Sequence, residues 1–328
     1  MRQIRGLFTQ RVPGDDALLR LARLRFDQMG LGAEVYAADF AELDRMLAFA
    51  PTGPVLPTVH LDRGLDLLVA DDRDRVAAFV EHFAGRIAGV VVHDTPPMIE
   101  RTDELQAAIR QLGHDIGEGR PMVFLEYAAG HPPDWFAGLA EQVVDVPTVS
   151  VCVDIGHVGI HQAHRALAQS RPDLTFARLQ TEPDLLAATI DEVEAAIDTA
   201  LPTVLHLTDR VARVGKPVHF HLHDGHPLIP ALSDHFSFLT RVPVPFAHHG
   251  RRSLDTMYGP EGLTAIVDAA VAAAPPHAQP SLLLEIHQSA GRQPLADAVP
   301  LFEHWSDLSN AEHTDRWLSV LSENARLL

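Results

Sequence analysis

The feature that most constrains this chain is a rhythm: eight short apolar or β-branched runs, each followed by a helical pattern. The runs cover residues 4–9, 33–38, 55–61, 89–93, 122–127, 149–154, 217–223 and 281–287. The amphipathic stretches between them include 17–29, 40–49, 72–83, 103–112, 135–144, 185–200 and 263–273, and an extra helix over 204–216 is expected ahead of the seventh strand. Eight strands alternating with helices fit a closed parallel barrel better than an open doubly wound sheet, which would usually show fewer strands and often a glycine-rich first turn. Neither GxGxxG nor GxxxxGK[ST] occurs. The expected fold is therefore a single (β/α)8 TIM barrel with a parallel eight-stranded core. Only proline-rich turns interrupt the chain, so one domain over residues 1–328 is the simplest reading.

Composition narrows the partners. The formal net charge of −18 disfavours nucleic acid, whose binders usually show a basic surface, although Arg251 and Arg252 could form part of a local basic groove. The longest apolar runs fall far short of the roughly 20 residues needed to cross a bilayer, so no membrane span is expected. The N-terminal residues MRQIRGLFTQRVPGDD lack the apolar stretch of a secretory signal, and a cytoplasmic location is expected. The single cysteine, Cys152, excludes an internal disulfide and reads as a small buried hydrophobe. A small-molecule substrate is expected, and the oligomeric state, a homo-oligomer included, is left open.

Side chains at the C-terminal ends of barrel strands point into the mouth, and six strands here carry chemistry at that end. They read TVHLD with His60, VVVHD with His93, VFLEY with Glu126, VCVDIGH with Asp154 and His157, HFHLHD with His221, and LLLEIH with Glu285. An ionised carboxylate after three or four apolar residues costs several kcal/mol if buried unpaired, so each such acid demands a cation or an arginine. One shared divalent ion would satisfy Glu126, Asp154, His221 and Glu285 together. This mixed oxygen and nitrogen set suits Mn²⁺, Mg²⁺, Co²⁺ or Zn²⁺, and without thiolates it is no structural zinc cage.

Each residue also has a plainer reading. A strand-end acid could pair with a neighbouring arginine, and His60 or His93 could be a hydrogen-bonded structural histidine. His157 could cap the loop after its strand. His219 shares the face of His221 and His223 but lies deeper, which suits a satisfied core histidine. His223 and Asp224 are candidates to fix the tautomer of His221 or to meet substrate. His226, Asp234, His235, His248 and His249 fall in a long loop, where exposure is expected.

In these motifs and their order, the chain resembles the xylose-isomerase-like barrel superfamily, which includes sugar isomerases, epimerases and apurinic endonucleases of the endonuclease IV type. The resemblance implies metal ligands on the fifth to eighth strands at Glu126, Asp154, His221 and Glu285. LEYAAG and VDIGH look like the endonuclease IV branch, which implies a second metal at His60 and His93 and a third at His157. That branch also carries a DxH motif after the seventh strand, where this chain has only SDHF at residues 233–236.

The leading functional reading is a metal-dependent isomerase or epimerase of a small sugar, polyol or keto-sugar. Glu126 and Glu285 would then move the carbon-bound proton and the metal, manganese or zinc among others, would stabilise an enediolate. The alternatives are a multi-metal phosphoesterase and a non-catalytic barrel that binds a sugar or a subunit partner.

Overall fold

The strands expected from apolar runs do close on themselves. In a computed structural model of the protein, eight parallel strands form a closed barrel in the order β1-β10-β7-β6-β5-β4-β3-β2. The structure describes residues 3–8, 15–228, 246–248, 251–254, 257–285 and 309–328. The barrel strands are β1 (Gln3–Leu7), β2 (Gly32–Tyr36), β3 (Thr58–His60), β4 (Gly89–His93), β5 (Met122–Glu126), β6 (Val149–Asp154), β7 (His219–Leu222) and β10 (Ser281–Leu284). A (β/α)8 barrel is thus the observed fold. Strands β4 and β6 have the bounds their apolar runs predict, whereas β3 is shorter because Pro57 cannot donate to a ladder.

Helices follow the amphipathic stretches: α1 (Asp16–Met29), α2 (Phe40–Phe49), α3 (Ala70–His82), α4 (Thr102–Ile116) and α5 (Pro133–Gln142). Their ends obey local chemistry. Asp15 accepts the Leu18 amide to start α1, and Gly30 ends it at φ 70°, a conformation that disfavours residues with a Cβ. After β6 come α6 (Ile155–Ser170), α7 (Phe176–Thr181), α8 (Pro183–Ala188), α9 (Ile190–Asp198) and α10 (Ala200–Ala212). The expected helix over 185–200 is therefore two, parted at Thr189, whose hydroxyl donates to the Leu185 carbonyl. The helix anticipated before the seventh strand is α10. The segment expected to be a patternless loop contains an antiparallel pair, β8 (Phe246–His248) and β9 (Arg251–Leu254). Then follow α11 (Gly259–Ala273) and α12 (Asn310–Ala325).

Two compact units make up the chain. The first draws on Met1–Asp154, Leu207–His221 and Ala269–Leu284 and the second on Ile155–His206, Leu222–Asp268 and Glu285–Leu328. In the first, Val91, Phe124 and Cys152 form an apolar layer inside the barrel. Cys152 is buried, as expected, and burial pushes its thiol well above the ordinary range. In the second, α6 and α9 pack through Ala163, Leu167, Val193, Ala196 and Ile197. Among the described residues no helix is long and apolar enough to cross a membrane.

Candidate metal centre

Parallel register sets the level of each polar side chain in the first unit. His60 is level with Val91, His93 with Glu126, Glu126 with Cys152, and Asp154 with His221. With a side-chain period of two, His93 lies one step above Val91 on its strand, Glu126 above Phe124, Asp154 above Cys152, and His221 above His219. The polar ends therefore stand on the apolar layer as a group.

Glu126 is the hub of that group. Its Oε2 lies 2.9 Å from His60 Nε2 and 3.3 Å from His93 Nε2, and its Oε1 lies 3.6 Å from His221 Nδ1. Two sets of atoms close enough to share an ion result: His60, His93 and Glu126, and Glu126, Asp154 and His221, each within 4.8 Å. Cys152, His219 and His221 make a further set, which reaches one level deeper through Cys152 and His219. All of these residues are buried except His93, which is partly so.

The donor chemistry fits a cation. The Leu61 carbonyl can only accept, so the 2.9 Å contact with His60 Nδ1 puts the proton of a neutral ring on that nitrogen. The lone pair of Nε2 then faces a carboxylate, and His93 Nε2 lies only 3.1 Å away. A proton or a metal ion must reconcile them. Without metal the proton does so: burial works against a charged His60, yet the Glu126 carboxylate raises its pKa above the ordinary value. Burial likewise pushes the Glu126 carboxyl upward, but His221 and His60 hold it well below the carboxylate range.

Sequence reasoning missed Glu34, which is fully buried on β2. Its Oε2 accepts from Thr58 Oγ1 at 2.7 Å and His219 Nε2 at 2.9 Å, and its Oε1 lies 3.1 Å from His221 Nε2. Burial pushes its pKa up, but His221 and His219 together hold it below the usual range. His219 also contacts Ser281 Oγ at 2.8 Å, which makes it the satisfied core histidine expected of it. Asp94 was missed too. It accepts the amides of Ala128 and Ala129, tying down the turn after Glu126, and burial raises its pKa to about 7 against those amides.

The remaining candidates belong to the second unit. Glu285 is buried there, with its Oε2 4.0 Å from His223 Nε2, while His223 Nδ1–H donates to the Asp224 carbonyl at 3.0 Å. His157 stands edge-on to His223, ring centroids 5.8 Å apart. Gly156 makes room for that ring, since a Cβ there would sit 1.9 Å from a His223 carbon. His157 belongs to a helix, α6, and not to a loop. The Asp224 carboxylate accepts from the amide of its neighbour Gly225 and from the Tyr258 and Gly259 amides at the start of α11. His226 is buried, contrary to the exposure expected of a loop residue, and its Nδ1 accepts the Leu228 amide at 3.2 Å. His248 ends β8, and Asp234, His235, His249 and the SDHF segment lie outside the described residues.

The fold is thus a (β/α)8 barrel, and the buried cluster inside it has the composition of a metal centre. No family model matches the chain, and no curated protein matches it. Among solved structures it is similar to the carboxyl transferase domain of Rhizobium etli pyruvate carboxylase, determined with pyruvate and biocytin. Identity is 14% and the TM-score 0.40, over 99% of this chain. This chain spans 47% of that one, and so distant a likeness carries no functional argument.

Proposed function

We propose that this protein is a divalent-metal-dependent enzyme in which the two ligand groups that share Glu126 would each hold an ion, and that it hydrolyses a small phosphoester. One observation carries the reading: Glu126 belongs to two ligand groups at once, with His60 and His93 at one oxygen and His221 at the other. Bound ions would supply Lewis acidity and lower the pKa of water, the chemistry of two-metal hydrolases. The protein's part is to hold the donors. His60 is oriented by the Leu61 carbonyl, the turn after Glu126 is held by Asp94, and the apolar layer of Val91, Phe124 and Cys152 underlies the site on β4, β5 and β6. The net charge of −18 fits a small substrate better than a polynucleotide.

A second reading, the sugar isomerase or epimerase, has its own support. Glu126, Asp154 and His221 suffice for one ion, and a protonated His60 could then serve only to hold Glu126. In that scheme Glu126 would serve as a ligand, because both of its oxygens face histidines. His157 and His223 remain candidate ligands, and Asp224 a supporting residue. The superfamily resemblance accommodates both readings.

A substrate panel tests the choice. Chelated protein, reloaded with Mn²⁺, Co²⁺, Zn²⁺ or Mg²⁺, is assayed against small phosphomonoesters and diesters and against aldose, ketose and polyol pairs. Metal-restored phosphoester cleavage is expected. Metal-restored interconversion of sugars with no cleavage would establish the second reading instead.

A further inference from the structure

We propose that Glu34 is a positioning residue that selects the nitrogen His221 offers to metal: Glu34 takes the Nε2–H, which leaves Nδ1 as the ligand atom. The inference rests on the metal-dependent reading above and adds to it a residue and an atom.

The geometry is directional. His221 lies between two carboxylates, with Nε2 3.1 Å from Glu34 Oε1 and Nδ1 3.6 Å from Glu126 Oε1. A neutral imidazole has one N–H and one lone pair, so only one side can be the donor side. The polar contacts beneath decide which. Arg5 is buried and anchored by the Leu56 carbonyl, which accepts from Nε at 3.0 Å and from Nη2 at 2.8 Å. Its Nη1 donates to Ser281 Oγ. The Ser281 hydroxyl proton is then available to His219 Nδ1 at 2.8 Å, which makes that nitrogen an acceptor and Nε2 the donor. His219 Nε2–H and the Thr58 hydroxyl both donate to Glu34 Oε2. Each group in the series as far as Glu34 Oε2 has one consistent role, and turning Ser281 or His219 would set two acceptors face to face.

Glu34 is therefore held with Oε1 turned to His221, as an acceptor. The lone pair of His221 is left on the side of Glu126 and Asp154, where the ligand group lies. A carboxylate behind a ligating histidine fixes its tautomer and makes it a stronger donor to metal, and loss of such a partner typically costs about 10- to 100-fold in metal affinity.

The test uses full-length protein loaded with ¹¹³Cd²⁺ and labelled with ¹⁵N at histidine. Metal–nitrogen coupling is expected at His221 Nδ1, together with a slowly exchanging proton on His221 Nε2. Cd²⁺ affinity is expected to fall about 10- to 100-fold in Glu34→Ala. Glu34→Gln keeps an acceptor for His221, and its NH₂ can face Thr58 Oγ1 and a His219 of the other tautomer, so it should recover part of that loss. Coupling at His221 Nε2 would overturn the assignment alone, as would a folded Glu34→Ala protein that binds Cd²⁺ within twofold of wild type. If Glu34→Ala does not fold, the coupling in wild type and the affinity of Glu34→Gln decide. Wild type that takes up no Cd²⁺ would overturn the metal reading and this assignment with it.

Discussion

The behaviour of the site in the absence of metal depends on the pairing of His60 with Glu126. His60 has a raised folded pKa, so its contribution to stability is complete below its ordinary value of 6.5 and is lost as pH rises through the folded pKa. Glu126 has a lowered one, so its contribution is complete above 4.5 and is lost as pH falls through the folded pKa. In chelated protein the stability difference between wild type and His60→Ala should therefore be greatest between pH 4.5 and 6.5, at about 3 kcal/mol, and should shrink on the alkaline side. Urea denaturation across pH measures it, and a difference that grew above pH 7 would contradict the pairing. Binding of metal must displace the His60 proton, so affinity should weaken on acidification. At this scale the sequence was readable only where a polar residue ended an apolar run, as His93, Glu126 and Asp154 do. Glu34 escaped because it stands inside its strand, in GAEVY, where attention to strand ends does not reach. An acid with apolar neighbours on both sides was the available signal.

Lys216 shows how the elements are fastened together beneath the site. Its ammonium donates to the carbonyls of Val143, Val146 and Val149, joining the end of α5 and the start of β6 to the residues that lead into β7. Lys216→Met should cost about 3 kcal/mol by leaving buried carbonyls unmatched, seen as a lower midpoint in chemical denaturation. An unchanged midpoint would mean that those carbonyls find other partners. The strands were legible because barrel strands are buried on both faces and read as continuous apolar runs, of which GVVVH and VSVCVD are the clearest. Helix α6 was not: it begins directly after Asp154, so the DIGH that closes the strand motif also opens a helix, without a turn to separate them. The pair β8 and β9 gave no alternating pattern strong enough to stand out from its loop.

For the molecule as a whole, the order of strands was enough to fix the barrel, because parallel strands alternating with helices close in few ways. The sharing of Glu126 was not visible in that order. It arises from register, which sets His93 level with Glu126 and Asp154 level with His221, and from the side-chain alternation that brings His60 to the same place. A bridged pair of ions is the central claim, and the number of divalent ions retained per chain tests it most directly. Protein freed of loose metal by gel filtration is measured by mass spectrometry as wild type, His60→Ala and Glu126→Gln. The expected content is about two ions in wild type, about one in His60→Ala and fewer than one in Glu126→Gln, since a bridging carboxylate serves both ions. Wild type retaining no ion, or His60→Ala retaining as many as wild type, would contradict the account.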